Sequence, residues 1–302
     1  MYDERKTLNH DMKTNGILVV AIVSISFAAT FIRLAAAPPI VIAGYRMLLT
    51  TLVLLPFALL SSRTRGELSR LGYGDIGLLA LSGLFLALHF ISWIASIFLT
   101  GVASSIVLVT MTPLFVALYS IFVLDERVPT VFWIGLLLAA VGALVIGGGD
   151  LFHGGMRWRG DALALLGAIA AAGYFIVGSR LRKKMSLIGY VFPVYLAATV
   201  CILTVAVMWK IPLTGYGGNV YLYSLLLALV CQIMGHTLFN WALAHVKATF
   251  VTFGTLGEPV GASLIAFIIL DEIPRATELL GGLFIIAGLF CALYFGKGRR
   301  VV

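Results

Sequence analysis

Two stretches decide the fold: SSIVLVTMTPLFVALYSIFVLDERV at residues 104–128 and TFGTLGEPVGASLIAFIILDEIP at residues 252–274. Each is an apolar run interrupted by one proline and followed by an Asp-Glu pair. A shift of 146 residues lays Pro113 on Pro259, Leu124 on Leu270 and Asp125-Glu126 on Asp271-Glu272. The same shift brings Gly135 onto Gly281, Leu137 onto Leu283 and Gly142 onto Gly288. These seven identities, all within thirty positions, already exceed the roughly two or three that chance supplies, so the chain reads as an internal repeat.

Working outward, apolar runs separated by charge, Gly and Pro predict ten helices. They cover 16–36, 40–60, 74–97, 102–123, 130–147, 160–180, 188–209, 221–244, 248–270 and 276–295. None shows the alternation of a membrane barrel strand. Ten spans of about 20 residues use most of the 302, which leaves no room for a soluble domain. Composition agrees. Hydrophobic residues make up 61% and charged residues 11%, with a mean hydropathy of +1.06; soluble domains are about 45–50% apolar and about 25% charged. An ordinary cytosolic enzyme is excluded, because so much apolar surface would have no core to enter.

The organisation expected is a cytoplasmic tail over 1–15, a first five-helix repeat over 16–147 and an external linker over 148–159. A second repeat over 160–296 and a cytoplasmic tail over 297–302 complete it. Residues 16–36 are too long for a signal-peptide apolar region and are followed at once by further spans, so this run reads as an uncleaved first span. With the N-terminus inside, fifteen Lys and Arg fall on the cytoplasmic side and four outside, while Arg33 and Arg46 lie within spans. That bias predicts a multi-pass protein of the cytoplasmic (inner) membrane with both termini cytoplasmic. An odd number of spans per half makes the second half enter from the opposite face, giving an inverted repeat. The net charge of +8 is a topological signal, not a nucleic-acid footprint, and Arg180-Leu-Arg-Lys-Lys meets anionic lipid. Cys201, Cys231 and Cys291 sit inside apolar runs without metal or redox spacing, so no cofactor and no metal is expected.

Ten spans, a proline about a dozen residues before each acidic pair and a Gly-rich closing helix resemble the drug/metabolite transporter superfamily, of the EamA type. GDALALLGAIAAAGYFIVGSRL at 160–181 and Arg46 near the start of the second span carry the same resemblance. It covers residues 16–296. It implies an all-α integral membrane protein, ten transmembrane helices in two inverted five-helix repeats around a central substrate cavity walled by helices 1, 3, 4, 6, 8 and 9.

Among candidate site residues Glu258 comes first. It lies halfway along the ninth span in TLGEPVG, where an ionised carboxylate costs at least about 2.5 kcal/mol on insertion scales. Pro259 cannot donate the backbone bond expected by residue 255; Pro113 repeats the break in the fourth span, with Thr112 where Glu258 stands. Glu258 binds a substrate ammonium or carries a proton; alternatively it is a protonated carboxyl satisfying loosened carbonyls. His89, Trp93 and Ser96 share one face of the third span, with a structural histidine and a packing Trp as the alternative. Gln232, His236 and Asn240 recur every four residues in the eighth span, as ligand contacts or as interhelical glue. Ser26, Thr30 and Arg33 form a stripe on the first span, and Tyr174 stands on the sixth. Arg33 snorkels or serves the external mouth; Arg46 pairs with an acid or snorkels. The Asp-Glu pairs at helix ends read as structural or gating groups.

The function expected is a secondary transporter moving a small metabolite, an amino acid or related compound in the export direction, by alternating access. No Walker-type phosphate loop is present. Substrate-binding residues are expected at Glu258, His89, Trp93, His236, Asn240, Tyr174, Thr30 and Thr112. The partners are the small-molecule substrate, with proton coupling left open, and membrane lipids; the protein works as a monomer or homodimer. Two other classes stay open: a lipid or lipid-linked-sugar flippase, and an integral membrane enzyme acting on lipid.

Overall fold

A computed structural model describes residues 2–100, 102–124, 130–151, 157–270 and 276–295. Among them every regular element is helical. Eight helical stretches are long and apolar enough to cross a membrane: Lys13–Ala35, Pro39–Leu60, Tyr73–Leu99, Ser104–Phe122, Trp158–Leu181, Leu187–Met208, Gly218–Ala242 and Ala248–Ile269. The other two expected spans correspond to α8 (Thr130–Leu151) and α15 (Ala276–Phe295). Their described apolar stretches, Thr130–Gly142 and Leu279–Gly288, are shorter than the eight. The pairs Asp125-Glu126 and Asp271-Glu272 lie outside the described residues. Large side chains such as Phe57, Phe122, Leu222 and Ile268 point outward from the bundle. A surface of this kind suits lipid, and the protein is a multi-pass membrane protein.

Local chemistry marks the helix ends. The first span is two helices, α1 (Tyr2–Ser26) and α2 (Ala28–Ala35), parted at Phe27. The Ser24 and Ser26 hydroxyls donate to the carbonyls of Val20 and Ile22 at 2.7 and 2.8 Å, a back-bonding that bends helices. Ala36, left-handed at φ 50°, ends α2. Pro38-Pro39 starts α3 (Pro39–Leu60), where the missing N–H costs nothing. Ser61 caps α4 (Ser62–Ser69), and Ser186 caps α10 (Leu187–Met208) by accepting from the Gly189 N–H at 3.2 Å.

α3 and α10 cross antiparallel, as three contacts show. Near the start of α3, the Tyr45 hydroxyl donates to the Leu213 carbonyl beyond the end of α10 at 2.6 Å. At mid-helix Thr51 Oγ1 and Thr199 Oγ1 are 3.0 Å apart. Past the end of α3, Glu67 Oε2 accepts from both the amide and the hydroxyl of Ser186, at 2.9 and 2.6 Å. Burial pushes the Glu67 carboxyl up, but the bonds from Ser186 and from Arg63 outweigh it and hold the group below its usual range.

α8 and α15 form the other tight pair. A Cβ on Gly142 would meet the Gly281 carbonyl oxygen at 2.4 Å, and one on Gly288 would meet that of Gly135 at 2.5 Å. The four glycines are the two pairs matched by the 146-residue shift, and they contact each other reciprocally.

Candidate substrate cavity

Both proline-marked helices are broken. In the first half α6 (Val102–Val109) stops, Thr110 and Met111 turn, and α7 (Thr112–Leu124) resumes. Pro113 has no N–H for the Val109 carbonyl; the Thr112 hydroxyl takes its place and donates to that oxygen at 2.8 Å. In the second half α13 (Ala248–Phe253) passes through a 3₁₀ turn, Gly254–Gly257, into α14 (Glu258–Leu270). There the carbonyl deserted by Pro259 belongs to Thr255, and the backbone N–H of Glu258 serves it. The Glu258 side chain is therefore not needed for that repair.

The breaks border one small cavity. Its wall includes Glu258, Thr255, Thr110 and Thr112 from the broken helices, His89 and Trp93 from α5 (Tyr73–Leu99), and Arg46 from α3. His236 closes it from a π-helical stretch, Leu227–His236, set between α11 (Gly218–Leu226) and α12 (Thr237–Ala242). Ile25, Ala28, Val109, Ala171, Phe175 and Phe239 supply the apolar wall. Every wall residue except His236 is buried. Five of the eight expected residues thus share one chamber: Glu258, His89, Trp93, His236 and Thr112.

The other three stand elsewhere. Asn240 donates its Nδ2 hydrogens to the Tyr174 hydroxyl and, at 2.7 Å, to the His236 carbonyl; neither Asn240 nor Tyr174 is in the wall. Thr30 is buried in α2 and is not in the wall either. The residues of the stripe Gln232–His236–Asn240 reach three different places. Gln232 reaches Arg46, His236 reaches the cavity, and Asn240 turns behind the wall. Ser96 bonds Ser105 at 2.5 Å and ties α5 to α6.

His89 is held by contact between Nδ1 and the Gly167 carbonyl at 2.9 Å in α9 (Arg157–Leu181). A carbonyl only accepts, so Nδ1 carries the hydrogen. The ring stacks on Trp93 with centroids 5.8 Å apart and 14° between planes, and lies 6.1 Å from the His236 ring. Trp93 Nε1 and His236 Nδ1 are buried without a hydrogen-bond partner among the described residues. No group of three metal-ligating side chains occurs among the described residues.

Sequence reasoning left out Arg46 as a wall residue. Its signal was present, since a cation inside a span is rare and faces protein or water. Its partners, Phe90 and Gln232, lie on other helices and leave no local pattern.

The EamA-like transporter family model matches this chain twice, over residues 14–148 and 158–294. The chain belongs to the EamA-like transporter family. It is 26% identical over 297 residues to the pseudopaline exporter CntI of Pseudomonas aeruginosa, covering 95% of this chain and 99% of that one. It is also 26% identical over 267 residues to the uncharacterized transporter YdfC of Bacillus subtilis, covering 86% and 84%. A crystal structure with 18% identity superimposes with a TM-score of 0.75 over 93% of this chain and 96% of the other, a likeness of fold. Residues 149–157 lie between the two family matches.

Proposed function

We propose that this EamA-family protein is a secondary transporter that exports a small metabolite, an amino acid or related compound, across the cytoplasmic membrane by alternating access. Ten spans form two inverted five-helix repeats, both termini are cytoplasmic, and the halves rock around the cavity. The observation that carries the reading is the meeting of two proline-broken helices, one from each half, at one buried chamber that holds a carboxyl. Interrupted helices at corresponding positions are the general mark of a transporter's central site. The reciprocal glycine contacts of α8 and α15 and the double family match support the repeat. The exporter among the relatives supports the direction loosely.

Substrate contacts are assigned to Glu258, His89, Trp93 and His236, with Thr112 in the wall and Tyr174, Asn240 and Thr30 behind it. Glu258 is the group expected to carry charge compensation or a proton. Purified protein in liposomes tests this directly. Wild type should accumulate substrate under a gradient, and Glu258→Gln should fold and insert yet lose net or pH-driven transport. Unimpaired, still pH-dependent transport by that variant would overturn the site.

A further inference from the structure

We infer that Arg46 is the anion-binding residue of this cavity, and that the ligand is a zwitterion with an apolar side chain, its carboxylate on Arg46 and its ammonium towards Glu258. The inference rests on the transporter reading above and names its substrate class.

Arg46 is fully buried. Its guanidinium carbon lies 4.0 Å from the centre of the Phe90 ring, and its Nε donates to Gln232 Oε1 at 3.0 Å. Ring and amide together fix the plane of the group. Both terminal nitrogens, Nη1 and Nη2, are buried with no hydrogen-bond partner among the described residues. A guanidinium offers five donors in a rigid fork matched to a carboxylate, and a buried charge left unpaired is costly. Glu258 lies in the same wall. No ion pair joins them among the described residues.

With Glu258 ionised, the chamber presents a positive fork and a negative carboxylate, unpaired with each other. A simple amine would leave Arg46 without a counter-charge, and a simple carboxylate would leave Glu258 without one. A zwitterion pairs both and keeps the cavity neutral. Trp93 Nε1, a second buried donor without a partner, adds to the anion-binding groups. Ile25, Val109, Phe175 and Phe239 leave the rest of the ligand an apolar surface.

Three matched probes test this on purified full-length protein, by thermal shift and titration calorimetry: L-phenylalanine, phenethylamine without the carboxylate, and 3-phenylpropionate without the ammonium. Wild type should bind phenylalanine at least about tenfold more tightly than either singly charged analogue. R46Q should bring phenylalanine and phenethylamine to within about twofold of each other, while E258Q should do the same for phenylalanine and phenylpropionate. R46K, which keeps the charge but loses the fork, should fall between. Phenethylamine binding to wild type as tightly as phenylalanine, or a folded R46Q that keeps the preference, would overturn the inference. Where R46Q does not fold, the wild-type ranking still decides. A wild type that binds none of the three but transports another solute through Glu258 sinks the inference and leaves the transporter reading intact. E258Q transporting normally removes that reading instead.

Discussion

The two broken helices share a backbone solution and differ in what it leaves free. At α6–α7 the carbonyl deserted by Pro113 is repaired by a side chain, the Thr112 hydroxyl. At α13–α14 the carbonyl deserted by Pro259 is repaired by a backbone N–H, that of Glu258. The first repair consumes the residue's functional group, and the second releases it into the cavity. The charges are split as well. The 146-residue shift places Phe192 opposite Arg46 and Thr112 opposite Glu258, so one matched position carries the cation and another the anion. Matched positions of the two broken helices thereby differ in charge.

The largest test of that comparison is a pair of substitutions at matched positions. Glu258→Gln removes a free charge, and transport in liposomes should fall at least about 30-fold, the scale of losing one partner of a buried charged contact. Thr112→Val removes a hydroxyl that serves the backbone. It should lower stability by about 1 kcal/mol and keep transport within about threefold. Equal losses of transport from both would break the contrast, and so would an inert Glu258→Gln.

The sequence carried the contrast only in part. Proline and an unpaired acid inside an apolar run are strong local signals, and both breaks stand where Pro113 and Pro259 mark them. His89 and Trp93 followed from helical spacing on one unbroken helix, α5. Asn240 shares a four-residue spacing with Gln232 and His236, but its side-chain partner is the Tyr174 hydroxyl on α9, a cross-helix contact that spacing does not show. The parting of α1 and α2 at Phe27 accompanies serine back-bonding, which composition alone does not announce. Arg46 depends on Phe90 and Gln232, 44 and 186 positions away in the chain, so its orientation is a property of packing. Local rules read the backbone breaks well and the cross-helix partners poorly.

A second comparison sets the glycines of α8 against those of α15. Gly142 and Gly288 meet each other's helix at a partner glycine's carbonyl oxygen, which cannot rotate away as a side chain would. Gly142→Ala and Gly288→Ala should therefore each destabilise by about 1–3 kcal/mol, the range for overpacking. Gly77→Ala, where nothing lies within 4 Å, should be neutral or slightly stabilising, since alanine is the better helix former. Thermal unfolding in detergent reads all three. Similar losses at 142 and 288 would sharpen the case for a two-fold relation between the helices; a neutral result at one of them would break it.

The smallest expected effect separates the two ties that hold α3 to the α10 side. Glu67 to Ser186 is a carboxylate tie, and Tyr45 to Leu213 is a neutral one. Glu67 is held below the usual carboxylate range in the folded protein, so its folded form binds the proton less readily than the unfolded chain does. The stability it adds is full above the unfolded value of about 4.3 and is lost as pH falls through the folded value. Glu67→Gln should lower the Tm by about 2 °C at pH 7, and the gap to wild type should shrink as the pH is taken from 5 towards 3. Tyr45→Phe loses one hydrogen bond between neutral groups, and its Tm deficit should stay constant over the same range. A Glu67→Gln deficit that is flat with pH would mean that the carboxylate's charge contributes nothing to the tie, and the two ends of α3 would then be held by equivalent neutral contacts.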